Sequence, residues 1–353
     1  MSMLSHFLLM AFMLVPPVWS GAAGDQTAKP GPAPRNLAIF LFDGVQIVDY
    51  TGPYETFGHA WDNGPMFNIY TVAEKPGPIT TAMGMVVTPT YTFANCPKTS
   101  VLVLPGGGVN PHISRPEVVK WVQATARDAE VVMSVCNGAF FLAEAGLLDG
   151  QTATTYHSMI DDLQKAVPSC RVVYDERFVD NGKIITTAGI SSGIDGSLHL
   201  IERLAGRGVA QSAALGMEYD WRPEAHYARA NLADRHLRKM LGQDGFPLPD
   251  SIYWHCVGNT GDSDSWVKTW ATRPEMSAET LAKVVEAKLA ETWKRTTATE
   301  SKDNGLESAW SFSDEKGGAW TAKAMVTVLD ASTSTLGVVV RLERAGTRRV
   351  ASR

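Results

Sequence analysis

The feature that most constrains this chain is an alternation, from Asn36 to about residue 220, of short continuous apolar runs with segments of helical periodicity. The runs are Leu37 to Phe42, Phe67 to Val72, Val101 to Leu104, Val131 to Val135 and Lys183 to Thr187. Runs of this length, rich in Val, Ile and Leu and lacking polar alternation, read as strands buried on both faces. Between them the spacing predicts a helix from about Pro53 to Trp61 and another from Ser114 to Glu130. In the second, Ser114 is the expected N-cap, and Val118, Val119, Val122 and Ala126 share one face. A third helix is expected from Asn137 to Ala145, stopped by Gly146, and a fourth from the Ala188 to Asp195 segment to about Leu204. Strands alternating with helices imply a doubly wound α/β domain with a largely parallel sheet.

The chain has 353 residues, and single cores stop growing near roughly 250 residues, so a second domain is expected. Gly245-Phe-Pro-Leu-Pro-Asp250 has the composition of a linker. The expected division is an α/β domain over 36–243 and a small α+β module over 244–353. In the module Ser265 to Ala271 is a candidate strand and Ser277 to Trp293 a helix. Leu306 to Ser313, Ala319 to Leu329 and Thr335 to Arg344 alternate as antiparallel strands do.

At the N-terminus the apolar run Phe7 to Val15 is followed by Pro16-Pro17 and the small residues Ser20-Gly-Ala-Ala23, the layout of a secretory signal peptide cleaved near Ala22-Ala23. That run is too short to cross a hydrocarbon core of about 30 Å. A flexible Pro/Gly-rich leader is expected over 24–35. The reading is of an exported protein, periplasmic or secreted, that is not membrane-bound after cleavage. A net charge of −5 and the lack of a Lys/Arg-rich block before Arg348-Arg349 give no footprint for nucleic acid.

Four cysteines, Cys96, Cys136, Cys170 and Cys256, could form one or two disulfides in an oxidising compartment. Cys136 stands apart because it directly follows the strand Val131 to Val135 and directly precedes a helix. There, backbone N–H groups and the helix dipole stabilise a thiolate. Gly138 and Ala139 supply the small neighbours that a nucleophile elbow requires. Leu104-Pro-Gly-Gly-Gly108 lies at the carboxyl end of another strand, where open α/β sheets bind ligands. It lacks the Lys-Ser/Thr of a P-loop and the GxGxxG spacing, so its N–H groups suit an oxyanion hole. Asp49, just past the first strand, is either a helix cap or a proton shuttle for the thiol. His157 is either a second base or a surface or capping residue. Ser191, Ser192 and Asp195 read as a helix cap or as pocket lining. Tyr54, Phe57, His59 and Trp61 read as core or dimer contacts. His255 and Cys256 are adjacent and lack partners for a metal site.

Asp49-x-x-x-Pro53, Leu104-Pro-Gly-Gly107 and Val135-Cys-Asn-Gly-Ala139, with Gly146-Leu-Leu-Asp-Gly150 and Ala153-Thr-Thr155, resemble the ThiJ/PfpI family of the class I glutamine amidotransferase-like superfamily. The resemblance spans about residues 36 to 220. It implies a flavodoxin-like fold, a reactive Cys136 contacted by Asp49, and backbone groups of Gly107 and Asn137 facing the substrate, with Gly106 and Gly108 beside them. It also implies a homodimer, a small-molecule substrate, and no metal or organic cofactor. Asp49-Tyr-Thr-Gly-Pro-Tyr-Glu55 looks most like the isonitrile hydratase and AraC-sensor branch. Asn137 stands where those hydratases carry Thr, and Tyr156-His157 replaces the frequent His-Trp. Three functions therefore remain open. They are a hydratase or lyase in which the Cys136 thiolate attacks a small electrophilic carbon, a non-catalytic redox or ligand sensor, and a glyoxalase-like, deglycase-like or peptidase activity.

Overall fold

The computed structural model describes residues 33–174, 176–224, 254–261, 264–273, 276–291, 293–302, 305–314 and 317–346. The expected signal peptide, all but the end of the leader, and the linker at 245–250 lie outside the described residues.

The apolar runs assemble into a seven-stranded sheet. Its strands are β1 (Arg35–Phe40), β2 (Phe67–Ala73), β3 (Tyr91–Thr92), β4 (Val101–Leu104), β5 (Val131–Val135), β6 (Phe178–Asp180) and β7 (Ile184–Thr187). The order is β6-β7-β5-β4-β1-β2-β3. Every pairing is parallel except β6 with β7. That hairpin turns at Gly182, whose N–H donates to Asp180 Oδ1 at 2.7 Å. The sheet is doubly wound, with a flavodoxin-like α/β architecture. All residues of β4, β5 and β7 are buried, and each such Val, Leu or Ile contributes roughly 1.5–3 kcal/mol by leaving water.

The helices are α1 (Ile47–Gly58), α2 (Asn110–Ile113), α3 (Pro116–Asp128), α4 (Ala139–Glu144), α5 (Ile160–Ala166), α6 (Ser192–Ala205) and α7 (Arg207–Gly216). One group, α1 with α6 and α7, packs together, as does the group of α3, α4 and α5. In α3 the buried residues are Val118, Val122 and Ala126, one stripe at helical spacing. Ser114 is not its N-cap: α3 starts at Pro116, after Arg115, and Ser114 closes the short α2.

Helix α1 departs most from expectation, beginning six residues before Pro53 and holding that proline inside. Proline normally marks a first turn because it lacks the N–H that would bond the carbonyl four residues back. Here packing prevails. Gly52 lies so close to α6 that a Cβ would sit 3.1 Å from Ile194 Cγ1. The hydroxyls of Thr51 and Thr56 also bond the carbonyls of Ile47 and Gly52, at 2.8 and 2.7 Å. Asp49 is thereby placed in the first turn of a helix, where the dipole favours a carboxylate.

The second sheet has six antiparallel strands: β8 (Trp254–Gly261), β9 (Ser265–Thr272), β10 (Lys294–Lys302), β11 (Gly305–Ser313), β12 (Ala319–Asp330) and β13 (Thr335–Arg344). Their order is β8-β9-β13-β12-β11-β10. Helix α8 (Ala278–Leu289) packs on β11 and β12. Ser277 caps it by accepting from the Thr280 N–H, and Leu281, Val285 and Leu289 form its buried stripe. On β12, Trp320, Ala322, Ala324 and Val326 alternate inward. Its core is separate from that of the parallel sheet. All four cysteines are free.

Candidate active site

Three loops leave the carboxyl ends of the neighbouring strands β4, β5 and β7, and they converge on one thiol. Cys136 follows β5 with φ at +59°, in a single 3₁₀ turn, Cys136–Gly138, that leads into α4. A side chain in this region costs about 1–2 kcal/mol, and the surroundings hold it there. The Cys136 N–H donates to the Ala188 carbonyl at 2.9 Å. The Thr155 hydroxyl donates to the Cys136 carbonyl at 2.8 Å. Gly138 is required by close approach, since a Cβ there would lie 2.0 Å from the Leu104 carbonyl oxygen.

Asp49 is fully buried, and its carboxylate is held on both oxygens. Gly106 N–H donates to Oδ2 at 3.1 Å, and Ile190 N–H donates to Oδ1 at 3.1 Å. The Cys136 thiol also shares a hydrogen bond with it. Burial raises the Asp49 pKa to about 6, against the lowering effect of these three donors.

The same burial, together with the negative charge of Asp49, pushes the Cys136 thiol far above its usual range. The Asn137 N–H, which bonds the sulfur, opposes this and loses. The expectation of a thiolate stabilised by a helix N-terminus is therefore corrected. Helix α4 has only six residues and starts after a 3₁₀ turn, and burial of the sulfur, with the Asp49 carboxylate beside it, prevails over the one N–H that bonds it. With both groups raised, the thiol is the weaker acid of the pair, and it shares its hydrogen bond with Asp49.

The glycine loop also departs from expectation. Gly106 N–H is bonded to Asp49, Gly107 N–H donates to Asn137 Oδ1 at 2.7 Å, and Gly108 N–H donates to the Gly44 carbonyl at 2.8 Å. None of the three points at an open oxyanion position. Asn137 completes a two-legged clamp, with Nδ2 donating to the Gly107 carbonyl at 2.9 Å.

Cys136, Asp49, Asn137, Gly106 and Gly107 are thus brought together, while Gly108 lies outward on Gly44. His157 opens the turn before α5, with its ring 4.1 Å, centroid to centroid, from that of Tyr156. It is not among the groups that shift the thiol. Ser191 makes no side-chain cap bond. Asp195 instead binds the Arg177 guanidinium and accepts from the Tyr219 hydroxyl at 3.1 Å. Of the α1 aromatics, Phe57 is core, and His59 pairs with Glu55 at 3.1 Å. Among the described residues, no cluster of three or more His, Cys, Asp or Glu side chains could hold a metal ion.

Sequence reasoning singled out Ser191, Ser192 and Asp195 after β7 but missed Gly189 and Ile190 in the same loop. Ile190, with φ at +54°, supplies an N–H to Asp49, and a Cβ on Gly189 would sit 3.5 Å from the Cys136 sulfur. The signal was present in the topology, because Ala188 to Ile190 follows a buried strand just as Cys136 and Pro105 do.

The model of the DJ-1/PfpI family matches residues 35–203. An isonitrile hydratase of Pseudomonas putida is 35% identical over 187 residues, which cover 52% of this chain and 78% of the hydratase. The HTH-type transcriptional regulator GbdR of Pseudomonas aeruginosa is 28% identical, over 64% of this chain and 62% of the regulator. A crystal structure of a ThiJ/PfpI family protein from Pseudomonas syringae superposes with a TM-score of 0.50 at 31% identity, covering 59% of this chain and 85% of that one.

Proposed function

The chain belongs to the DJ-1/PfpI family, and from that premise we propose that it is an exported, cysteine-dependent hydratase acting on the terminal carbon of a small isonitrile. The observation that carries this reading is a thiol already aimed at a buried carboxylate of pKa about 6, beside a glycine loop whose N–H groups are all engaged. Acyl transfer develops charge on a carbonyl oxygen and needs free donors for it. Addition to an isonitrile carbon develops no oxyanion in its first step. Cys136 is also only 8% exposed, which suits a thin, linear electrophile.

In the proposed cycle Asp49 takes the thiol proton as sulfur bonds the isonitrile carbon, and Asp49 then delivers that proton to the same carbon, leaving a thioimidate on Cys136. Water adds to that carbon as Asp49 takes one of its protons. The carbon–sulfur bond then breaks, nitrogen is protonated, and an N-substituted formamide leaves with the thiol restored. The sum is isonitrile plus water, with no electron gained or lost and no cofactor used.

Export rests on the apolar run Phe7 to Val15 and the small residues after it, and is tested by N-terminal sequencing of the mature protein. Homodimer formation rests on Tyr54 within α1 and Trp61 just beyond it, which stand 42% and 65% exposed, and is tested by sedimentation of the protein and of its Trp61→Ser variant. The activity itself is tested by screening alkyl isonitriles, α-oxoaldehydes and peptide anilides. Formamide release only from isonitriles, lost in Cys136→Ala, supports the reading, and turnover of either other class without isonitrile turnover refutes it.

A further inference from the structure

The elbow and the glycine loop stand where an acyl-transfer enzyme would bind a carbonyl oxygen, yet that position holds an atom of the protein. Asn137 Oδ1 lies 2.7 Å from the Gly107 nitrogen. A Cβ built on Gly106 would fall 2.2 Å from the same Oδ1, 2.9 Å from the Asn137 nitrogen and 2.9 Å from Asp49 Oδ2. The amide oxygen, the elbow N–H that bonds the sulfur, and the catalytic carboxylate therefore meet around one point beside Cys136. Asn137 Oδ1 takes the Gly107 N–H that a substrate's carbonyl oxygen would otherwise use.

We infer that Asn137 is a specificity-determining residue that occupies the oxyanion position and so bars carbonyl substrates from a site otherwise equipped to attack them. Its second bond, Nδ2 to the Gly107 carbonyl at 2.9 Å, makes the plug bidentate. An ester or amide oxygen would have to break both bonds, each worth about 1 kcal/mol, before reaching the Gly107 N–H. An isonitrile presents no such oxygen and leaves the plug in place. Asn137 is half-buried, so shortening its side chain frees the Gly107 N–H without emptying the core.

This inference rests on the reading of Cys136 as a nucleophile, but its test uses no isonitrile, so its failure and that of the hydratase reading are separate results. The full chain, Asn137→Ala and Asn137→Ser are each treated with p-nitrophenyl acetate and, separately, with iodoacetamide, and the adduct on the Cys136 peptide is followed by mass spectrometry. In acylation, sulfur bonds the acetyl carbon, the thiol proton passes to Asp49, and p-nitrophenolate leaves. That reaction develops an oxyanion, and alkylation by iodoacetamide does not. A single freed donor is worth on the order of 100-fold in such a step. The ratio of acylation to alkylation should therefore rise by about that factor in both variants, with alkylation itself little changed. A merely structural loosening of the elbow would speed both reactions together and leave the ratio flat. A ratio within about 2-fold of wild type in whichever variant folds overturns the inference, since one donor should move it far more.

Discussion

Replacing Asp49 by asparagine should remove a pH dependence of stability that the parallel-sheet domain carries. The carboxyl titrates at 3.8 in an open chain and at about 6 in the fold, because burial penalises its charged form. Well below pH 3.8 it is protonated in both states, and the native state suffers no penalty. As pH rises through 6 the fold must hold a buried carboxylate that the unfolded chain would hold in water, and stability falls. The shift of about 2.2 pH units at 1.36 kcal/mol each amounts to about 3 kcal/mol. The amide introduced by Asp49→Asn does not titrate, and all other groups are common to both proteins, so wild-type stability minus variant stability should fall by about 2.4 kcal/mol between pH 4 and pH 7, the rest of the shift lying below pH 4. Hydrogen exchange of the Val131 to Val135 amides reads this directly, because those residues form a fully buried interior strand of the sheet. The ratio of their protection factors in the two proteins should change by about 50-fold across that range. A ratio constant within about 2-fold, corrected for intrinsic exchange, would refute the raised pKa and the proton-sharing pair built on it.

Further outcomes follow from the same geometry. With Asp49 acting as the base, kcat/KM should fall as pH drops through about 6, and a flat profile from pH 5 to 7 would exclude it. Gly138→Ala places a Cβ 2.0 Å from the Leu104 carbonyl oxygen and should cost about 3 kcal/mol and most of the activity. Gly146→Ala, with φ at +70° but open space around it, should cost about 1 kcal/mol and spare activity. In unfolding and turnover assays, equal effects of the two would contradict the elbow packing. Iodoacetamide at pH 7.5 should label the exposed Cys256 well before the buried Cys136, and peptide mapping showing the reverse order would contradict the raised thiol pKa.

The parts of this architecture that depend on local pattern were legible in the chain. Val131 to Val135 followed by Cys136-Asn-Gly-Ala139 announces a buried strand turning tightly into a helix, and the structure has that element. Long-range packing was not legible. Pro53 points to a helix start, but contacts to α6 and the Thr51 and Thr56 hydroxyls carry the helix back to Ile47. The thiol's ionisation depends on Asp49, 87 positions away, and the carboxylate in turn depends on Ile190, 141 positions from it. No local motif encodes that balance. The occupied glycine N–H groups are equally invisible, because Asn137 reads as a helix residue until its amide is seen clamped on Gly107. In the second sheet β12 was readable from strict alternation. Lys294 to Lys302 was not, being an edge strand that is polar on both faces.

The most direct test of the central claim is rapid-quench mass spectrometry of the protein mixed with an alkyl isonitrile in ¹⁸O-labelled water. The account predicts a transient adduct on the Cys136 peptide equal in mass to the isonitrile, followed by formamide carrying one ¹⁸O, with both absent in Cys136→Ala. Labelled formamide formed at the wild-type rate by Cys136→Ala, or no adduct and no formamide from the wild type with any isonitrile, would contradict it.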